Sequence, residues 1–246
     1  MKVETIEVKC NKRVFTCAEF QFNYESNSDD RRLLDDLFSD GEKLAASVNP
    51  TLARDASVVR RYERIVSNCV AGMVSEYCWR YWLNSEANRL NFNVSAMSTV
   101  FQSQNNQIDI SMTYPDGTSK TAEVRSSFPY TGLQNAVCRV FDIIGWYVNP
   151  VKIREIKKDY YVRVLYPFDV TDFFNELRSD SLSVYLTGGA TRDLLESDPH
   201  SRNKNFIPYD DIDAQLSSQS GVYRVIEPII NAYDTDKITD CILRGK

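Results

Sequence analysis

The chain has 246 residues, 43% hydrophobic and 26% charged, with a formal net charge of −5 and a sequence pI near 5.1. This composition suits a folded globular protein with one large domain, or a core carrying an added layer, and argues against a protein that coats nucleic acid non-specifically. The single histidine, His200, excludes chemistry that needs two histidines, and a histidine-rich zinc site with it.

No apolar run approaches the ~20 residues of a membrane helix, and the opening MKVETIEVKC lacks an apolar signal core. The six cysteines are scattered, with no C-x-x-C pair, so they read as reduced thiols in a cytoplasmic protein. No membrane partner is expected.

Residues 3–24 alternate, Ile6, Val8 and Cys10 against Thr5, Glu7 and Lys9, which predicts a β-hairpin turning at Asn11-Lys12. Ser28 to Ser47 reads as helix interrupted near Asp40-Gly41. Residues 57–83 carry the clearest helical period, with Ile65, Val66, Cys69, Val70, Met73, Val74 and Tyr77 on one stripe and Glu76 at its edge. Strands are expected over about 91–102, 106–114 and 119–128, the last two joined by a tight turn at Tyr114-Pro115-Asp116-Gly117. Residues 132–147 read as helix and 159–166 as a β-branched and aromatic strand.

Beyond these, Val170–Ser179 reads as helix, Leu182–Thr187 as strand, and Gly188-Gly189 as a turn into a short helix. That glycine pair has no following lysine, so it is not a phosphate loop. Residues 197–211 read as a polar loop, with Asp210, Asp211 and Asp213 as a helix cap, and 221–233 as an apolar segment, a helix kinked or started by Pro228.

Strand alternation concentrates the chemistry. Asp109 points away from Ile108 and Ile110, and Glu123 and Arg125 share the face opposite Ala122 and Val124. Pairing of these strands would gather Asp109, Glu123 and Arg125, with Glu76 joining from the flanking helix. Carboxylates at one end of a sheet suit Mg²⁺, which takes hard oxygen ligands and keeps several waters. Such an ion acidifies a bound water and stabilises phosphoryl charge.

The order helix with Glu76, strand, strand with Asp109, strand with Glu123-Val124-Arg125, helix, strand resembles the PD-(D/E)xK nuclease superfamily over about 110 residues. The 14 residues from Asp109 to Glu123 fit a hairpin, and the literal Pro115-Asp116 falls in its turn. The resemblance implies a restriction-endonuclease-like αβββαβ core with a central mixed sheet at 57–166. An N-terminal hairpin and helix (1–56) and a C-terminal α/β extension (167–246) would flank it.

The resemblance also implies a Mg²⁺- or Mn²⁺-dependent nuclease acting on DNA in restriction, phage defence or repair. Asp109, Glu123 and Glu76 would hold metal, Arg125 would stand where the family carries lysine, and Gln134 would lie near the metal. Arginine keeps its proton and cannot act as general base, but its fork suits phosphate oxygens. An inactive nuclease-like fold, serving as a nucleic-acid-binding or structural subunit, is the alternative that Arg125 keeps open. Arg60, Arg61 and Arg64, Lys157 and Lys158, and Arg202 and Lys204 are candidate nucleic-acid contacts, against the plainer reading of solvated surface charge. The acidic balance also leaves room for a homodimer or protein partner that supplies recognition.

Overall fold

The structure is a computed structural model that describes residues 1–47, 62–99, 109–129, 131–148, 156–206 and 221–246. Strands β1 (Lys2–Cys10), β2 (Arg13–Phe22), β3 (Ser95–Ser98), β4 (Ile110–Thr113), β5 (Ser119–Ser127), β7 (Tyr160–Leu165) and β8 (Leu182–Thr191) form one mixed sheet. Its order is β1-β2-β8-β7-β5-β4-β3, with β5 and β7 parallel and the other neighbours antiparallel. Strands β6 (Ile143–Tyr147), β10 (Gly221–Ile226) and β9 (Ser201–Phe206) form a second, antiparallel sheet.

Alternation along each strand divides the core in two. On β2, Ala18, Phe20 and Phe22 face one way and Phe15 and Cys17 the other, all buried. The first face packs against helices α1 (Ser28–Ser47), α2 (Tyr62–Arg89) and α6 (Thr235–Leu243). The second packs against the small sheet, α3 (Leu133–Asn135, continued as a π-helical turn over Ala136–Val140) and α5 (Arg192–Ser197). Between β7 and β8 lie a 3₁₀ turn (Val170–Asp172) and α4 (Phe173–Leu177). Every residue of β7 is buried, which explains why its sequence is almost uniformly apolar. The expected β-hairpin, long helix, hairpin strands and aromatic strand are present, and the large mixed sheet includes β1, β2 and β8 from outside the 57–166 segment.

Several expectations are corrected. Helix α1 is continuous through Gly41, because a Cβ there would lie 2.7 Å from the Val70 Cα; glycine lets α1 and α2 touch. The expected helix over 132–147 stops at Val140, Phe141 turns extended, and Ile143–Tyr147 becomes β6. Gly188 and Gly189 lie within β8, where Gly188 has a φ of 75° and its missing side chain admits the Tyr233 carbonyl. The expected loop from 197 contains β9, and the apolar segment from 221 begins as strand β10. Helix α6 was not anticipated; the Asp234 carboxylate caps it by accepting from the Lys237 N–H. Cys10 and Cys138 form a disulfide between β1 and the end of α3, against the expectation of six reduced thiols. The acidic group Asp210, Asp211 and Asp213 lies outside the described residues.

Candidate active site

The β4–β5 hairpin is closed by the turn at Tyr114–Thr118. There the Asp116 carboxylate accepts from the Thr118 N–H and hydroxyl, so Asp116 serves the turn. That turn fixes the register Thr113↔Ser119 through Ile110↔Ala122. One further step of the same register sets Asp109 opposite Glu123. Directly opposed residues project on the same side with Cβ atoms about 5 Å apart. Strand β4 begins only at Ile110, and the Asp109 Oδ2 accepts from the Val124 N–H at 2.7 Å, standing in for a ladder carbonyl.

Glu123 and Arg125 are in register with Tyr161 and Arg163 of β7, so they face the small sheet. One Glu123 oxygen lies 3.1 Å from the Arg125 Nη2 and the other 4.0 Å from the Lys158 Nζ. Arg125 also donates to the Gly145 carbonyl of β6 at 3.3 Å and lies over the Tyr223 ring of β10. Glu76 is buried on α2, on the opposite face of the sheet. Burial raises its pKa, while the Ser98 hydroxyl and the Arg80 charge oppose that rise.

These surroundings act most strongly on Asp109. Burial and then the Glu123 charge push its pKa up to about 8; Glu76 adds to the rise, and the Val124 N–H and Arg125 oppose it. Asp109 therefore feels the charges of Glu123 and Arg125 and, from the other face of the sheet, that of Glu76, which does not join them. Arg163 extends this polar layer: it is buried, donates to the Ser127 hydroxyl at 2.6 Å, and burial lowers its pKa to about 10.

Other candidates lie elsewhere. Gln134 is exposed and donates to the Lys9 carbonyl on β1, with β2, β8 and β7 lying between β1 and β5, so it does not join the carboxylates. Lys157 pairs with Glu196 at 2.7 Å and covers the Trp146 ring. Arg202 pairs with Glu227, and Lys204 lies 2.7 Å from Asp142 and 3.0 Å from Glu227; these are strand residues in ion pairs, not an open loop reaching for phosphate. Arg64 is exposed near the start of α2, while Arg60 and Arg61 fall outside the described residues. Lys158 is the largest surprise. Expected at the surface, it is 1% exposed and faces Glu123. The only signal in the sequence was its place two residues before a strand apolar on both faces.

Among the described residues, no group of three histidine, cysteine, aspartate or glutamate side chains is arranged to hold a metal ion, so Glu76 does not complete a three-carboxylate chelate. Asp109 and Glu123 remain as the two carboxylates that a hard divalent cation could draw on. Mg²⁺ often takes only one or two protein carboxylates and fills its remaining positions with water. Positive charge would also offset the burial and the Glu123 repulsion that together raise the Asp109 pKa. Comparison of the chain with protein-family models, curated proteins and solved structures finds no match.

Proposed function

We propose that the chain is a metal-dependent nuclease that hydrolyses phosphodiester bonds, with DNA as substrate, on a restriction-endonuclease-like core. The observation that carries this reading is the neighbourhood of two carboxylates: Asp109, just before β4 and held by the Val124 N–H of β5, and Glu123 on β5, whose charge acts on it. The order α2, β3, β4, β5, α3, β6, β7, with β5 and β7 parallel, supports it, since apart from β6, which follows α3, it follows the element order of the PD-(D/E)xK resemblance.

Asp109 and Glu123 would hold Mg²⁺ or Mn²⁺. Bound there, the ion supplies an acidified water and charge for the phosphoryl oxygens. The Val124 N–H fixes the Asp109 carboxylate through Oδ2. Arg125 fixes Glu123 and keeps its own proton throughout. Glu76 adds negative field that favours a cation. Restriction, phage defence and repair are settings drawn by analogy of fold alone.

The test is single-turnover cleavage of mixed linear, circular and single-stranded DNA with Mg²⁺ or Mn²⁺. Asp109→Asn and Glu123→Gln should each abolish cleavage while remaining folded. A wild type that cuts nothing with either metal overturns the proposal.

A second reading, a non-catalytic nuclease-like subunit, has one observation in its favour. Arg125 pairs with Glu123 beside it on β5 and ties β5 to β6 and β10 through the Gly145 carbonyl and the Tyr223 ring, as a structural residue would. On that account Arg125→Ala lowers stability, and no metal restores cleavage.

A further inference from the structure

Lys158 carries a charge that the fold has enclosed without pairing it closely. Its side chain is 1% exposed, and among the described residues its one ionic partner, the Glu123 carboxylate, stands 4.0 Å away, beyond hydrogen-bond distance. Its backbone is firmly held: the Lys158 N–H donates to the Tyr161 hydroxyl at 2.8 Å, and its carbonyl accepts from the Arg192 Nε at 3.0 Å. Burying an ammonium is costly unless charge and hydrogen bonds offset it. Native folds rarely leave such a group without a purpose. Arg125, by contrast, is anchored to Glu123, Gly145 and the Tyr223 ring, so turning it toward a ligand would break the link between the two sheets.

We propose that Lys158, and not Arg125, is the cation that takes a phosphate oxygen at the Asp109–Glu123 site. This rests on the reading of that pair as a phosphodiester site. An ammonium presents three donors on a flexible stem, and none is committed to a hydrogen bond among the described residues. It can swing onto an anionic oxygen beside Glu123 while Arg125 keeps the carboxylate aimed. The bound anion supplies the close partner that the buried charge lacks, so the two stabilise each other.

The experiment compares wild type, Lys158→Met and Lys158→Arg. It measures binding of inorganic phosphate by calorimetry, with and without Mg²⁺, together with single-turnover DNA cleavage. Lys158→Met keeps the stem's volume and removes the charge, so it should fold. It should bind phosphate about tenfold more weakly and cleave about 10²-fold more slowly. Lys158→Arg should recover part of both. Phosphate affinity equal to wild type in Lys158→Met overturns the proposal, whether or not cleavage falls, because Lys158 would then only support the fold. Should Lys158→Met fail to fold, the Nζ resonance of wild-type Lys158 decides: a shift on adding phosphate supports the contact, and no shift refutes it. If wild type cuts no DNA yet Lys158→Met still loses phosphate affinity, the nuclease reading fails and the anion site stands.

Discussion

At the scale of single residues, the Asp109 carboxyl links the site to stability. Its folded pKa, raised to about 8, lies above the ordinary carboxylate value of 3.8. Between those two values the folded state holds a proton that the unfolded state has released. The contribution of Asp109 to stability therefore falls as pH rises through that window, and the deficit is complete above the folded pKa. Asn in place of Asp109 keeps an oxygen to accept from the Val124 N–H and removes the titration. Asp109→Asn should thus melt higher than wild type by several degrees above pH 8, with the gap closing as pH falls toward 4. Mg²⁺ should raise wild-type melting and leave the variant unmoved. A melting difference independent of pH would show that burial and Glu123 do not raise the Asp109 pKa. The pair itself was legible in the sequence, because alternation along two strands and a short turn between them fix both face and register. Lys158 was not legible. A lysine's burial depends on what packs around it in three dimensions, and the basic run at 152–158 looked like any solvated surface.

At the scale of elements, local pattern succeeded where one face was buried and failed where tertiary contact chose between alternatives. Leu133, Val137, Val140, Phe141 and Ile144 have helical spacing, yet the chain turns extended at Phe141. There Asp142 is buried against Lys204, and Gly145 fits under the Arg224 carbonyl, where a Cβ would come within 2.9 Å. The partners that make β6 a strand lie in β10, far along the chain, and no window of sequence contains both. Gly41 gives the same lesson in a helix. Glycine inside a helix usually costs about 0.5–1 kcal/mol relative to alanine. Here a Cβ would meet the Val70 Cγ2 at 2.6 Å and the Val70 Cα at 2.7 Å, and a backbone atom cannot rotate aside. Overpacking of that kind costs about 1–3 kcal/mol. Gly41→Ala should therefore destabilise the protein by about 1–2 kcal/mol despite its better helix propensity. Urea unfolding measures it, and a variant as stable as wild type would mean that α1 and α2 separate without cost.

At the scale of the whole molecule, two long-range features bear on behaviour in solution. The Cys10–Cys138 bond closes 128 residues of chain, and no spacing in the sequence announces it. Oxidised protein should show four reactive thiols after unfolding, those of Cys17, Cys69, Cys78 and Cys241. Its reduction should cost about 2–4 kcal/mol of stability, read from denaturation with and without reductant. Six thiols in the untreated protein would contradict the pairing. Charge gives the second feature. Net charge is −5, and many of the surface cations are already opposed: Lys43 by Asp40, Arg89 by Glu86, Lys157 by Glu196, Arg192 by Asp159, Arg202 by Glu227 and Arg244 by Asp240. A protein that neutralises Z phosphates of duplex DNA loses affinity with salt at a logarithmic slope of about −0.9Z. With so many cations engaged inside the chain, Z should be small. The isolated protein should bind short duplexes weakly, with a slope no steeper than about −3, as expected of two or three phosphate contacts. Fluorescence anisotropy across a salt series checks this. A slope near −6, or tight sequence-specific binding by the monomer, would mean that the ion pairs open to receive DNA. A shallow slope that steepens only when a second copy or another protein is added would place recognition in the assembly, with the Asp109–Glu123 pair left to do chemistry on a substrate delivered to it.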